Sequence, residues 1–120
     1  MILAVRIQLT LEEDPGTPLS KVRLLLYDRD ENDPDDFLAE GNTDDHGEVL
    51  LSFDSDRYTD QEDQEKWRTE SLPDLYVVVY DPDGQEVLST RAKAQIDKLP
   101  RLIQVTLPRA LALKKGLVSP

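Results

Sequence analysis

The sequence predicts an all-β fold, an antiparallel β-sandwich of about seven short strands. Two patterns support this prediction. Several short segments alternate apolar and polar side chains, which is typical of strands with one buried face. Turn residues separate these segments, and the 120 residues include eight prolines and five glycines. Because a chain of this length can bury one modest core, residues 1–120 are predicted to form a single domain.

The first two predicted strands lie on either side of a turn rich in proline and charge. Residues 3–11 alternate strictly, with apolar side chains at every odd position. The turn "EEDPGTPLS" (12–20) follows, and "KVRLLLYD" (21–28) then alternates again. The second strand ends where a run of acidic residues begins.

The middle of the chain supplies two further strands and one long polar stretch. The extended segment "DFLAEGNT" (36–43) leads into the turn "DDHG", where Gly47 can adopt a positive φ. The strand "EVLLSF" (48–53) follows. Residues 54–71 are polar and exceed the usual length of a connection, so they are predicted to form a long loop.

The last part of the chain is predicted to contain a central strand, a hairpin and a final strand. The segment "LPDLYVVVYD" (72–81) is apolar on both faces, as expected for a strand inside a sheet. The turn "PDG" and the returning segment "QEVLST" (85–90) indicate a hairpin. "PRLIQVTLP" (100–108) is the last clear strand, and "RALALKKG" (109–116) can add a helical turn.

Three segments resemble the transthyretin-like, or prealbumin-like, sandwiches, which include carboxypeptidase regulatory-like domains and have immunoglobulin-like strand arrangements. The segments are "PLSKVRLLLYDRD", "DDFLAEGNTDDHGEVLLSF" and "PDLYVVVYDPDG". The resemblance implies the fold more than any function, because this architecture hosts carriers, hydrolases, dioxygenase domains and adhesive modules. Its hydroxyisourate hydrolases and intradiol dioxygenases need more than one histidine, whereas this chain has only His46. Neither chemistry is therefore expected here.

Charge is distributed unevenly along the chain. Residues 1–90 carry 24 acidic and 7 basic side chains, whereas residues 91–120 carry 1 acidic and 7 basic ones. The acidic part repels nucleic acid phosphates, so a nucleic acid partner is not expected. No apolar run is long enough for a transmembrane helix and no signal peptide is recognised. These features predict a soluble protein that is cytoplasmic or part of a larger polypeptide, in a compartment the sequence leaves open.

The loop "YDRDENDPDDFLAEG" (27–41) concentrates carboxylates and is the candidate metal site. Calcium takes about six to eight oxygen ligands, which a string of alternate acidic and amide side chains can provide. The candidate ligands are Asp28, Asp30, Asn32 and Asp36. Their spacing differs from that of helix-loop-helix calcium sites, because Asp33 stands where glycine is expected. Two interpretations remain, a calcium site of another type and a solvated acidic loop.

The same loop resembles the third calcium loop of C2-type domains. The matching positions are Asp28, Asp30, Asp36, Phe37, Leu38 and Glu40. In C2 domains this loop follows most of the strands, whereas here it follows only two. The resemblance implies a calcium-dependent module that binds a lipid surface or a partner, and contact with a membrane surface is expected only in that case.

The predicted function is a non-catalytic binding or protein-interaction module, alone or as part of a larger assembly, with a protein as partner. Trp67, the only tryptophan, lies in a charged segment and is either a packing anchor or a partner contact. The alternatives are the calcium-binding module and a hydrolase of unknown substrate. Charged residues flank segments 21–28 and 85–90 as in protected edge strands, which predicts a monomer or weak dimer.

Overall fold

The computed structural model describes residues 1–58 and 72–119, which form two β-sheets packed face to face. In chain order the strands are β1 Ile2–Leu11, β2 Arg23–Asp28, β3 Asp36–Asn42, β4 Glu48–Asp54, β5 Leu75–Tyr80, β6 Glu86–Ser89 and β7 Leu102–Leu107. The strand order is β4-β1-β7 in one sheet and β3-β2-β5-β6 in the other. The predicted all-β sandwich of about seven strands is therefore confirmed.

One strand pair differs from the antiparallel arrangement that was predicted. β1 and β7 are parallel, with Arg6 opposite Leu102 and Leu11 opposite Leu107, whereas the other pairs are antiparallel. A parallel pair needs a long connection, and here most of the chain lies between the two strands. Alternation within a strand shows which face is buried, but it does not show which neighbour the strand selects.

The core forms between the inward faces of the two sheets. From the three-stranded sheet, β1 contributes the alternate residues Val5, Ile7 and Leu9, which are almost completely buried. From the other sheet, β5 contributes Val77 and Val79. A helix, α1 Arg109–Lys114, follows β7 and buries Ala112. None of the helices in the described ranges combines the length and apolar character that a membrane span requires.

The two lateral sides of the sandwich differ. On one side β3 and β4 approach closely. A methyl group added at Gly41 of β3 would lie 2.9 Å from the side chains of both Val49 and Leu51 on β4. On the other side the edge strands β6 and β7 border a cleft of about 440 Å³. β2 lies between β3 and β5, so the expectation that segment 21–28 is a protected edge was wrong, whereas β6 is an edge.

One end of the sandwich is built from tight turns, and we call residues 42–48 and 81–85 the turn end. Gly47 has a φ of 73°, as predicted, and its carbonyl accepts the Leu9 N–H at 2.7 Å. The buried Thr43 hydroxyl accepts the Val22 N–H at 3.0 Å and donates to the Leu19 carbonyl at 2.6 Å. Sequence-local turns and a buried hydroxyl thus hold this end together.

Candidate functional site

The opposite end of the sandwich gathers several acidic segments, and we call residues 28–36, 54–58, 72–74 and 91–97 the acidic end. β2 ends there at Asp28, paired with the start of β5 at Leu75. Burial, together with the charges of Asp28 and Asp97, raises the pKa of Tyr58, so the start of the long polar stretch lies close to the acidic loop. The Leu72 N–H donates to Asp97 at 2.9 Å. Both described flanks of residues 59–71 therefore reach this end.

Asp35 links the acidic loop to the four-stranded sheet. Arg91 binds its carboxylate with two donors, Nε to Oδ2 at 2.7 Å and Nη2 to Oδ1 at 3.1 Å. The Tyr76 hydroxyl donates to the same Oδ2. The guanidinium holds the pKa of Asp35 well below its usual range, while burial and this carboxylate raise the pKa of Tyr76. Three elements distant along the chain thus meet at one carboxylate.

Asp30 organises the loop from within. Its carboxylate accepts the N–H groups of Asn32 at 3.1 Å and Asp33 at 3.3 Å, as aspartate commonly does in turns. Its own N–H donates to Asp35 at 3.0 Å. The loop backbone is therefore held by two of its own carboxylates, and one of these is neutralised by Arg91.

Asp28 has the most perturbed environment of the predicted ligands. It is buried at the end of β2, and its Oδ1 accepts the Asp74 N–H at 2.7 Å. Burial, opposed by that hydrogen bond and assisted by the charge of Asp74, raises the pKa of Asp28 to about 6. Burial and the charge of Asp30 also raise the pKa of Asp36. Like charges thus repel each other at this end.

The structure places Asp28, Asp30, Asn32 and Asp36 at the same end of the sandwich. Within residues 1–58 and 72–119, no group of three or more histidine, aspartate or glutamate side chains is arranged to hold a metal ion. Trp67 lies outside the described residues. Sequence reasoning missed Arg91 and Tyr76 as partners of the loop, because they lie 56 and 41 residues from Asp35.

A second candidate surface covers the outer face of the four-stranded sheet. The Tyr27 and Tyr76 rings are stacked with centroids 5.4 Å apart, and Phe37 meets Tyr27 edge-on at 5.8 Å. Tyr27 also contacts Tyr80, and burial together with this contact raises the pKa of Tyr27. The Arg23 guanidinium lies 5.4 Å from the centre of the Tyr80 ring. We call Tyr27, Phe37, Tyr76 and Tyr80 the aromatic face.

The side chains next to the aromatic rings on the same face are tightly packed. Leu25 and Val78 are opposite each other on β2 and β5, point outward, and are nevertheless buried. An ion pair between Arg23 and Glu40, 2.9 Å long, borders them. Because the side chains beside them are buried and packed, the aromatic rings are held in place and lose little freedom when another surface covers them.

The outward tyrosines and phenylalanine were not identified from the sequence. The sequence does contain one indication of this face. Tyr27, Tyr76 and Tyr80 alternate along their strands with the inward residues Leu26, Val77 and Val79, so they point to the opposite side of the sheet. On β2 and β5, however, both parities are apolar, so the pattern alone does not distinguish the outer face from the core.

The fold is similar to part of a solved structure, a 9R-lipoxygenase from Cyanothece PCC8801. The TM-score is 0.55 and the sequence identity 22%, and the match covers 89% of this chain. The chain spans 16% of the length of that lipoxygenase. No protein-family model matches the sequence, and no curated protein is similar to it. The likeness shows a β-sandwich and does not confirm the transthyretin-like family.

Proposed function

We propose that this chain is a non-catalytic protein-interaction module that binds a partner protein through the aromatic face. The observation that carries the proposal is the position of the rings. Four of the six aromatic side chains in the described residues lie on the outer face of one sheet, where Phe37 is 39% exposed, Tyr27 and Tyr80 are half-buried and Tyr76 is buried beneath its neighbours. Large aromatic side chains are enriched in the buried centres of protein interfaces, where they supply much of the binding energy.

The surroundings of the aromatic face indicate the partner's chemistry. Arg23 and Glu40 form one exposed border, and the half-exposed Arg91, paired with Asp35, forms another. Such an apolar centre with a polar border fits a partner that presents an apolar patch surrounded by polar groups. The lipoxygenase match, in which a similar sandwich occupies a small part of a longer chain, supports a module within a larger polypeptide or assembly. Membership of the transthyretin-like family is part of this proposal.

Site-specific photo-crosslinking in the native cell tests this proposal. A photoreactive phenylalanine analogue replaces Phe37 in one variant and, as the matched control, Leu50 in another. Leu50 is 55% exposed on the outer face of the other sheet. We expect position 37 to crosslink one defined protein that position 50 does not reach.

The crosslinked protein is then purified and titrated with this chain. Phe37→Ser is expected to weaken its binding about tenfold, since it removes an exposed aromatic contact, and Leu50→Ser is expected to leave binding unchanged. Equal crosslinking at both positions, or equal losses from both serine variants, would contradict the proposal.

A calcium-dependent module is the second candidate, and one observation favours it. The described start of the long polar stretch, including Asp54 and Asp56, lies at the same end as the acidic loop, as shared ligation of an ion requires. A bound cation would relieve the repulsion that contributes to the raised pKa values of Asp28 and Asp36. The intact network of Asp35 and the backbone bonds of Asp30 oppose it, because a calcium ion must compete with them.

Thermal unfolding in calcium and in magnesium tests the calcium hypothesis. A converged site stabilises the fold by about 2.7 kcal/mol when free calcium is a hundred times the dissociation constant. Calcium should then raise the melting temperature by several degrees where magnesium does not, and Asp30→Asn should reduce the increase. Equal small increases from both ions would instead show a solvated acidic loop.

A further inference from the structure

β7 is an edge strand whose outer main-chain groups are unpaired. The Arg6 N–H donates to the Arg101 carbonyl at 3.3 Å, and the Glu12 N–H donates to the Leu107 carbonyl at 2.8 Å. In a parallel ladder, alternate residues face the neighbouring strand, so Ile103 and Val105 also face β1. The main-chain groups of Leu102, Gln104 and Thr106 consequently face away from β1. Among the described residues, no backbone group bonds to them.

The strand itself lacks the usual protection against strand addition, because charge and proline stand only at its flanks, at Arg101 and Pro108. The six residues of β7, "LIQVTL", carry no charge and no proline. The other strands at sheet edges carry charges, including Glu40 on β3, Glu48 on β4 and Glu86 on β6. Proteins generally shield an edge with charge, proline or a bulge when it is not used for pairing. The exception at β7 therefore indicates a strand that is available for pairing.

The cleft beside β7 offers a place for side chains of an added strand. It lies between β7 and β6, and its apolar lining includes Leu88, Ala92, Val105 and Pro108. A strand paired with β7 would lie about 4.8 Å from it and would direct alternate side chains toward this cleft. The other side chains would extend the outer face beside Leu102, which is 41% exposed. Every second residue of the added segment should accordingly be apolar.

Charge around the start of β7 selects the partner. Lys93 borders the cleft, and Lys98 and Arg101 precede the strand, all three exposed and without an ion pair in the described part of the chain. The chain as a whole carries a net charge of −11, so two copies repel each other. We call Lys93, Lys98 and Arg101 the cationic corner. These cations outnumber Asp97, the one carboxylate of residues 91–107, so a separate acidic segment meets a local excess of positive charge there. Charge complementarity thus favours an acidic peptide over a second copy of the chain.

We propose that the β7 edge binds an extended acidic segment of a partner protein by strand addition, with apolar side chains at alternate positions in the cleft. This surface is separate from the aromatic face, and the proposal does not depend on the function assigned to that face. In the antiparallel orientation, the acidic residues of the segment follow its apolar part and lie beside Lys98 and Arg101. Main-chain hydrogen bonds supply affinity, and the cleft with its cationic corner supplies specificity.

A designed peptide is the probe. The capped peptide VTVTVDED has the required alternation and acidic end, and VTVTVKKK is its charge-reversed control. Amide hydrogen exchange of the intact chain is measured with each. We expect the acidic peptide to slow exchange at Leu102, Gln104 and Thr106, because only those β7 amides face outward, while the control peptide leaves them unchanged.

Variants separate the two parts of the proposal. Gln104→Pro removes one outward N–H and leaves the bonds to β1, so peptide affinity measured by fluorescence anisotropy should fall at least about tenfold. Lys93→Glu with Arg101→Glu should weaken binding and its salt dependence, whereas Lys114→Glu on α1 should not. Phe37→Ser should also leave peptide binding unchanged. If Gln104→Pro does not fold, the exchange experiment on the unaltered chain decides.

Three outcomes would overturn the proposal. The first is that millimolar acidic peptide does not slow exchange at the outward β7 amides. The second is that both peptides slow it equally, and the third is that exchange slows as the protein concentration rises with no peptide present. The last outcome would show that a second copy of the chain occupies the edge.

Discussion

Both ends of the sandwich use aspartate in local turns, and the acidic end also uses it in a long-range contact. At the turn end, the Asp44 carboxylate accepts the N–H groups of His46 and Glu48, and the Asp81 carboxylate accepts those of Asp83 and Gln85. Each of these bonds spans at most four residues. At the acidic end, the Asp35 carboxylate instead binds Arg91 and Tyr76, which belong to other elements.

These two kinds of contact predict different ways in which each end can be destabilised. Local turn bonds re-form whenever the turn re-forms, because donor and acceptor belong to the same few residues. A long-range contact exists only in the folded state, so its loss affects the loop, the sheet and the segment after β6 together. The turn end should therefore depend on backbone geometry and on the buried Thr43 hydroxyl, and the acidic end on the contact of Asp35 with Arg91 and Tyr76.

The largest effect is expected from Gly47→Ala at the turn end. The added methyl group would lie 2.5 Å from the Leu9 carbonyl oxygen, at a residue whose φ is 73°. Strain and this backbone clash together should lower the free energy of unfolding by about 3 kcal/mol or more. Denaturant unfolding measures the change.

Gly84→Ala is the matched control for that substitution. Gly84 has a φ of 80°, but no atom lies within 4 Å of the added methyl group. Its cost should be about 1 kcal/mol, from the backbone conformation alone. Equal losses from the two variants would show that the close approach to Leu9 does not matter.

The next effect is expected from Asp35→Ala at the acidic end. The substitution removes the common acceptor of Arg91 and Tyr76, so unfolding free energy should fall by about 2 kcal/mol at pH 7. Asp33→Ala, in the same loop but exposed, should change it little. A similar loss from both variants would mean that loop charge, and not the long-range contact, holds this end.

A smaller effect with a distinctive pH dependence is expected from Asp28→Asn. Because the folded-state pKa of Asp28 is raised from 3.8 to about 6, the folded chain binds this proton more tightly than the unfolded chain. Protonated Asp28 therefore contributes to the free energy of unfolding below about pH 4, and this contribution is lost as the pH rises to about 6. The amide removes that loss while keeping an acceptor for Asp74, and should stabilise the chain by about 1 to 2 kcal/mol at pH 7. At pH 4 the variant should show little gain.

Asp44→Asn at the turn end should change stability with pH in the opposite direction to Asp28→Asn. The N–H groups of Glu48 and His46 lower the pKa of Asp44, so its contribution to stability is present above its unfolded pKa and lost as pH falls through the folded one. This variant should be destabilised at pH 7 and approach the parent at low pH. Unfolding curves from pH 3 to 7 distinguish the two, and parallel pH profiles would refute the assignment.

Local sequence patterns were sufficient to predict most of the fold, but they predicted few of the residues in the candidate sites. β1, β2 and β4 follow from alternation, β5 from a run that is apolar on both faces, and the turn at Gly47 from residue type, because all of these patterns depend on neighbours along the chain. The clustering of Asp28, Asp30 and Asp36 at one end also follows, since they lie in one loop. The aromatic face could not be predicted, because β2 and β5 are apolar on both sides and the sequence does not show which side faces the core.

Extended segments, turns and acidic stretches can be read from the amino-acid sequence alone, since the steric and hydrophobic rules behind these features act over a few residues. Three other features appear only in the folded chain: the parallel pairing of β1 with β7, the neutralisation of Asp35 by Arg91, and the edge position of the uncharged β7. Each of these features joins residues far apart in the chain. Their pairing depends on how two sheets share one core, and no local pattern encodes that choice.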